Sequence, residues 1–135
     1  MKTVLDASIA VALVIDESGS EAATLATAGC EFIVPDTFWG EVTNALLRKV
    51  RTGMTDRAGA LAAYALLRRS VTRTIPTERL APVAMALSLD LPHPVYDCFY
   101  LATAITHGAP LLTADRALHA AAVDAGYAAA VRLVG

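Results

Sequence analysis

Thr3-Val4-Leu5-Asp6-Ala7-Ser8-Ile9-Ala10-Val11-Ala12-Leu13-Val14-Ile15 joins two kinds of apolar segment through a single acid. Thr3 to Leu5 is a short β-prone run, whereas Ala7 to Ile15 has the length and near-uninterrupted apolarity of a buried helix. Asp6 therefore stands at a strand-to-helix junction.

The alternation continues outward from there. Ser20 is positioned to cap an Ala-rich helix that Gly29 stops, and Glu31 to Val34 reads as a strand closed by Pro35. Asp36 or Thr37 opens a long helix to about Arg51, terminated by Gly53. Thr55 is expected to cap the next helix, through about Arg69, and Val71 to Ile75 forms a strand before Pro76. Thr77 starts a helix to about Leu89, with Pro82 tolerable only near its first turn. After the stiff Asp90-Leu91-Pro92-His93-Pro94 connector, Val95 to His107 has helical period and ends at Gly108. Leu111 to Thr113 is a strand, Arg116 to Ala125 a helix and Ala129 to Val134 a final strand. This βα alternation predicts an α/β fold, a parallel sheet of four or five strands with helices on both faces.

The chain has 135 residues, 56% hydrophobic and 18% charged. That length suits one domain, residues 1–135, with a core of its own. It is more apolar than an average soluble domain, so part of its surface is expected to be covered by a second subunit or a partner. A net charge of −2 supplies no global basic field for nucleic acid. The basic residues are clustered instead, Arg48, Lys49 and Arg51 ending one helix and Arg68, Arg69 and Arg73 another, where they also complement helix dipoles. Cys30 and Cys98 lie in apolar surroundings without metal-ligand spacing, which fits buried thiols in a reducing cytoplasm. Asp6 and Asp16-Glu17 break any signal-peptide pattern, and no uncharged run reaches the ~20 residues of a membrane span.

Four acids end or interrupt apolar runs: Asp6, Glu41, Asp97 and Asp115. Taken singly, each has a local explanation as a helix cap or a first-turn acid. Ligands of parallel sheets bind beyond the carboxyl ends of the strands. Asp6 and Asp115 fall there, and helices entering from the same edge can bring Glu41 and Asp97. Two carboxylates at ~5 Å and an effective dielectric of ~20 repel by roughly 3 kcal/mol, a cost relieved by protonation or a divalent cation. Ser8, Asn44 and Thr113 supply short polar neighbours, and Glu41, Asn44 and Arg48 share one helix face. An all-oxygen set suits Mg²⁺ or Mn²⁺ better than zinc. His93, His107 and His119 have no paired ligand spacing and are expected to be loop or helix-end residues.

Such a site activates water for attack on a phosphodiester. Without a histidine pair to use the ribose 2′-hydroxyl, the products expected are 5′-phosphate and 3′-hydroxyl ends. Two other functions compete. A phosphoryl-transfer module of phosphatase type would want an Asp at position 8, and a receiver would want a late Lys, yet Ser8 stands there and Lys49 is the last lysine. The other is a noncatalytic RNA-binding scaffold, which has no need of all four acids.

Val4-Leu5-Asp6-Ala7-Ser8, Glu41-Val42-Thr43-Asn44-Ala45-Leu46-Leu47, Tyr96-Asp97-Cys98-Phe99-Tyr100-Leu101-Ala102-Thr103-Ala104 and Leu112-Thr113-Ala114-Asp115, in this order, resemble the PIN-domain family. The resemblance is strongest to VapC-type ribonuclease toxins of prokaryotic toxin–antitoxin pairs and covers nearly the whole chain. It implies an α/β/α sandwich in which Asp6, Glu41, Asp97 and Asp115 hold the metal. Thr113 and Ser8 would support them, Asn44 would orient, and Arg48 would touch substrate phosphate. It further implies a homodimer, a tRNA or rRNA substrate and a cognate antitoxin. An antitoxin Arg entering the acidic pocket would supply the positive charge the metal otherwise provides. Tyr100 and Trp39 are expected to be core residues.

Overall fold

The computed structural model describes residues 1–135, and its centre is the strand that the opening stretch predicts. β1 (Lys2–Leu5) lies between β2 (Glu31–Pro35) and β4 (Leu111–Thr113), with β3 (Val71–Ile75) and β5 (Val131–Leu133) at the edges. The order is β3-β2-β1-β4-β5, and all four pairings are parallel. Thr3, Val4 and Leu5 have no exposed surface, as a central strand covered on both faces requires.

The helices are α1 (Ala7–Val14), α2 (Ser20–Thr27), α3 (Thr37–Arg51), α4 (Arg57–Ser70), α5 (Thr77–Asp90), α6 (Val95–His107) and α7 (Arg116–Asp124). From β1 to β3 the chain steps outward one way, and from β4 to β5 it steps the other. Right-handed crossovers then put α1–α4 on one face and α5–α7 on the opposite one. Packing agrees: α1 touches α2, α3 and α4, while α5 packs on α6 and α6 on β1, β2 and β4. One continuous core runs through both layers, from Phe38, Val42 and Leu67 to Leu80, Leu101 and Leu118. The direction of the crossovers reverses between β1 and β4, which opens a crevice at their carboxyl ends.

Several sequence expectations need correction. Ser20 is the first residue of α2 and not its cap, because its hydroxyl turns back to donate to the Ile15 carbonyl and accept from the Glu17 N–H. Thr55 does not cap α4; Asp56 does, accepting from the Gly59 N–H at 2.8 Å. Pro82 sits inside α5 beyond its first turn. The last strand is shorter than expected, since Ala128–Ala130 coil into a turn of 3₁₀ helix before β5. No helix is long and apolar enough to cross a membrane, and Cys30 and Cys98 are both free.

Candidate active site

Backbone pairing puts the first acid in the crevice. The Asp6 N–H donates to the Leu112 carbonyl at 3.2 Å, extending the β1–β4 ladder by one residue, and the chain then turns into α1. Asp6 is the N-cap of that helix, its Oδ1 accepting from the Ser8 N–H at 3.0 Å and the Ser8 hydroxyl at 3.2 Å. Its second oxygen, Oδ2, accepts a 2.7 Å hydrogen bond from the Thr113 hydroxyl. Asp6 thus has the capping role its position suggests together with an orientation imposed by the neighbouring strand.

Asp115 follows β4 in the same way. It caps α7 through a 3.0 Å bond from the Leu118 N–H to Oδ1, and its own N–H donates to Thr113 Oγ1 at 3.0 Å. Asp97 lies in the first turn of α6, held over the crevice because that helix packs across β1 and β4. Glu41 projects from the second turn of α3, where buried Phe38 and Val42 fix the helix against the core.

These positions couple electrostatically. Glu41 is pushed up to about 7, first by loss of solvent and then by the Asp6 and Asp97 charges, with the Tyr100 hydroxyl opposing the rise. Asp97 is also raised, by burial first and then by Asp115 and Asp6, with His93 opposing. The charges of Asp6, Asp97 and Asp115 thus each reach a neighbouring acid. Glu41 Oε1 is buried without a well-formed hydrogen bond, and so is the Tyr100 hydroxyl beside it. Tyr100 is core by burial, 2% exposed, yet its hydroxyl belongs to the acid cluster, and burial and the Glu41 and Asp6 charges push its pKa well above the usual range.

The cluster has two halves. In one, Asp6, Ser8, Glu41, Asn44 and Arg48 line an open cleft of about 270 Å³. Arg48 is exposed and makes no ion pair; Lys49 is paired with Glu17 instead. In the other half, donor atoms of His93, Asp97 and Asp115 all lie within 4.8 Å of one another. His93, which has no paired ligand spacing in the sequence, lies in the connector as a loop residue, and the fold brings it to the acids. Trp39 remains structural: it packs edge-on against Phe38 and Tyr64, donates to Thr74 Oγ1 and carries the Arg68 guanidinium 5.0 Å from its ring centroid.

The donors fit a hard divalent cation. Burial and neighbouring carboxylates raise the proton affinity of Glu41 and Asp97, and a buried oxygen on Glu41 lacks a well-formed hydrogen bond. Asp6, Glu41, Asp97 and Asp115 would supply oxygens, and His93 would add a nitrogen.

A sequence model of the PIN domain matches residues 3–124. The chain belongs to the PIN-domain family. PIN domains are generally nucleases that use a divalent metal, and the acid cluster of this PIN domain lies at the crevice between β1 and β4. Among solved structures the chain is similar to PAE2754 from Pyrobaculum aerophilum, with TM-score 0.60 and 23% identity over 89% of this chain and 78% of that one. It is also similar to a chain of a toxin–antitoxin complex from Klebsiella pneumoniae, with TM-score 0.59 and 20% identity over 84% of this chain and 86% of that one. At these identities the likeness concerns the fold. No match was found among proteins of curated function.

Proposed function

We infer that this PIN domain is an endoribonuclease dependent on Mg²⁺ or Mn²⁺, cutting RNA to 5′-phosphate and 3′-hydroxyl ends as the toxin of a toxin–antitoxin pair. The observation that carries the reading is the crowding of charge on Glu41, raised to about 7 by burial, Asp6 and Asp97, and on Asp97, raised by burial, Asp115 and Asp6, with Glu41 Oε1 left without a well-formed hydrogen bond. A bound divalent cation supplies an activated water and neutralises charge on the phosphate. Thr113 and the Ser8 N–H hold both oxygens of Asp6 in fixed directions, so that little reorganisation is left to the reaction. Asp97 and Asp115 serve as metal ligands beside it. Asn44 orients the cleft wall, and the unpaired Arg48 guanidinium is free to meet a substrate phosphate.

The partner reading draws on the Klebsiella pneumoniae complex and on the surface of α3. An apolar groove of about 430 Å³ between α3 and α4 is lined by Leu46, Leu47, Val50, Leu61 and Tyr64, with Leu47 44% and Leu61 60% exposed. It lies on the helix that carries Glu41 and Arg48. An antitoxin segment seated there can extend a cationic side chain into the acidic cleft. The protein acts as a homodimer, for which exposed Met85 and Leu89 on α5 supply apolar surface. Its substrates are tRNA or rRNA of the cytoplasm.

The test is incubation of a total tRNA pool with the protein in Mn²⁺, in Mg²⁺, in EDTA, and with Asp6→Asn, followed by sequencing of the RNA ends. Cleavage confined to the metal-containing wild-type reactions, with 5′-phosphate ends, is the expected result. Equal cleavage in all four, or cyclic phosphate ends, overturns the reading. Rapid turnover of a small aryl phosphate with intact RNA would identify a phosphatase instead.

A further inference from the structure

We propose that His93 is a nitrogen ligand of the divalent-cation site and makes it favour manganese over magnesium. The proposal rests on the metal-site reading above and concerns a residue outside the four acids. Donor atoms of His93, Asp97 and Asp115 lie within 4.8 Å of one another. Two ligands on an octahedral ion at about 2.1 Å stand about 3.0 Å apart when adjacent and about 4.2 Å when opposite. Small side-chain rotations therefore suffice to close the three onto a single ion.

The backbone of His93 is built to present the ring. Pro92 and Pro94 restrict the chain on either side. The Ser88 hydroxyl donates to the His93 carbonyl at 2.7 Å, and the His93 N–H donates to the Leu91 carbonyl at 2.7 Å. Pro92 and His93 share a surface recess with Ala117 and Ala121 of α7, the helix that Asp115 caps. None of these contacts involves the imidazole. Its Nδ1 is buried and has no hydrogen-bond partner, so the hydrogen bonds that hold the connector leave the ring uncommitted.

A nitrogen donor changes what the site prefers. Magnesium is hard, takes oxygen and gives up its waters reluctantly, whereas imidazole is a ligand of first-row transition ions. Carboxylates alone would accept either ion, and adding His93 strengthens manganese more than magnesium.

Calorimetric titration of the metal-free protein with MnCl₂ and separately with MgCl₂ tests this without reference to activity. In His93→Ala the Mn²⁺ dissociation constant should rise about tenfold or more, while that for Mg²⁺ changes less than about twofold. His93→Gln, which keeps a polar side chain of similar reach, should lose the same selectivity and carries the test if the alanine variant does not fold. Equal weakening of both ions, or no weakening of either, overturns the role of His93 while leaving the acid site intact. Failure of the wild-type protein to bind either ion overturns the metal site itself.

Discussion

The Thr113 hydroxyl joins the ends of two neighbouring strands, donating to Asp6 Oδ2 at 2.7 Å while accepting from the Asp115 N–H at 3.0 Å. One fully buried oxygen thereby orients one acid and fixes the backbone of another. Thr113→Val keeps the shape and removes both bonds. It leaves a polar group on each side unmatched, and should cost about 1–3 kcal/mol in chemical denaturation. Thr113→Ser should recover most of that stability, and most of the nuclease activity with it. If the valine variant matched wild type in both assays, the bridge would have no part in shaping the site.

Crowding of acids predicts an unusual gain in stability on removing charge. In EDTA at pH 8, Asp97→Asn and Glu41→Gln should each raise the melting temperature, because burial and neighbouring carboxylates disfavour the ionised forms. Asp115→Ala should lower it instead, since the cap on the Leu118 N–H is worth about 1 kcal/mol. Saturating Mn²⁺ should reverse the order of wild type and Asp97→Asn, the wild type gaining about 2.7 kcal/mol at a hundredfold excess over its dissociation constant. Melting temperatures that fall in both Asp97→Asn and Glu41→Gln without metal would mark these acids as structural.

Glu41 also sets a pH dependence. Its pKa rises from 4.5 to about 7 on folding, so between those values the folded protein holds a proton that the unfolded chain has released. The associated stability is complete below about 4.5 and is lost as pH rises through about 7. Asp97, raised from 3.8, acts in the same direction. Metal-free wild type should therefore melt at lower temperature at pH 8 than at pH 5, and Glu41→Gln should show a smaller difference. Parallel profiles for the two proteins would remove Glu41 as the cause.

The cap of α4 offers a comparison of adjacent residues. Asp56→Ala should cost about 1 kcal/mol of stability, as expected for loss of an N-cap. Thr55→Ala should cost less than half as much. Denaturant midpoints decide between them, and the reverse order would restore Thr55 as the cap.

Strand placement was legible because Val4-Leu5, Ile33-Val34 and Leu111-Leu112 are apolar on both faces, which only a covered parallel sheet requires. Acids at the ends of such strands advertise themselves, as Asp6 and Asp115 do. Caps were harder to assign: Ser20 and Thr55 each have a neighbour that can end the same turn, and a choice worth about 1 kcal/mol is settled by local geometry. His93 was missed for a different reason. Its four-residue spacing from Asp97 crosses the start of α6, so helical periodicity does not apply, and its approach to Asp115 depends on how the connector lies beside α7. The sole hint was a histidine between two prolines. Tyr100 was placed correctly in the core, but its hydroxyl's approach to Glu41 depends on how helices from opposite faces of the sheet meet at its carboxyl edge, which pattern alone does not give.

The bond between Thr113 and Asp6 spans 107 positions of sequence. A chain that stops before Thr113 already carries Asp6, Glu41 and Asp97, yet it lacks the edge strand β5 and the hydroxyl that aims its first acid. The geometry of the crevice is therefore completed only once the chain has been made through Thr113.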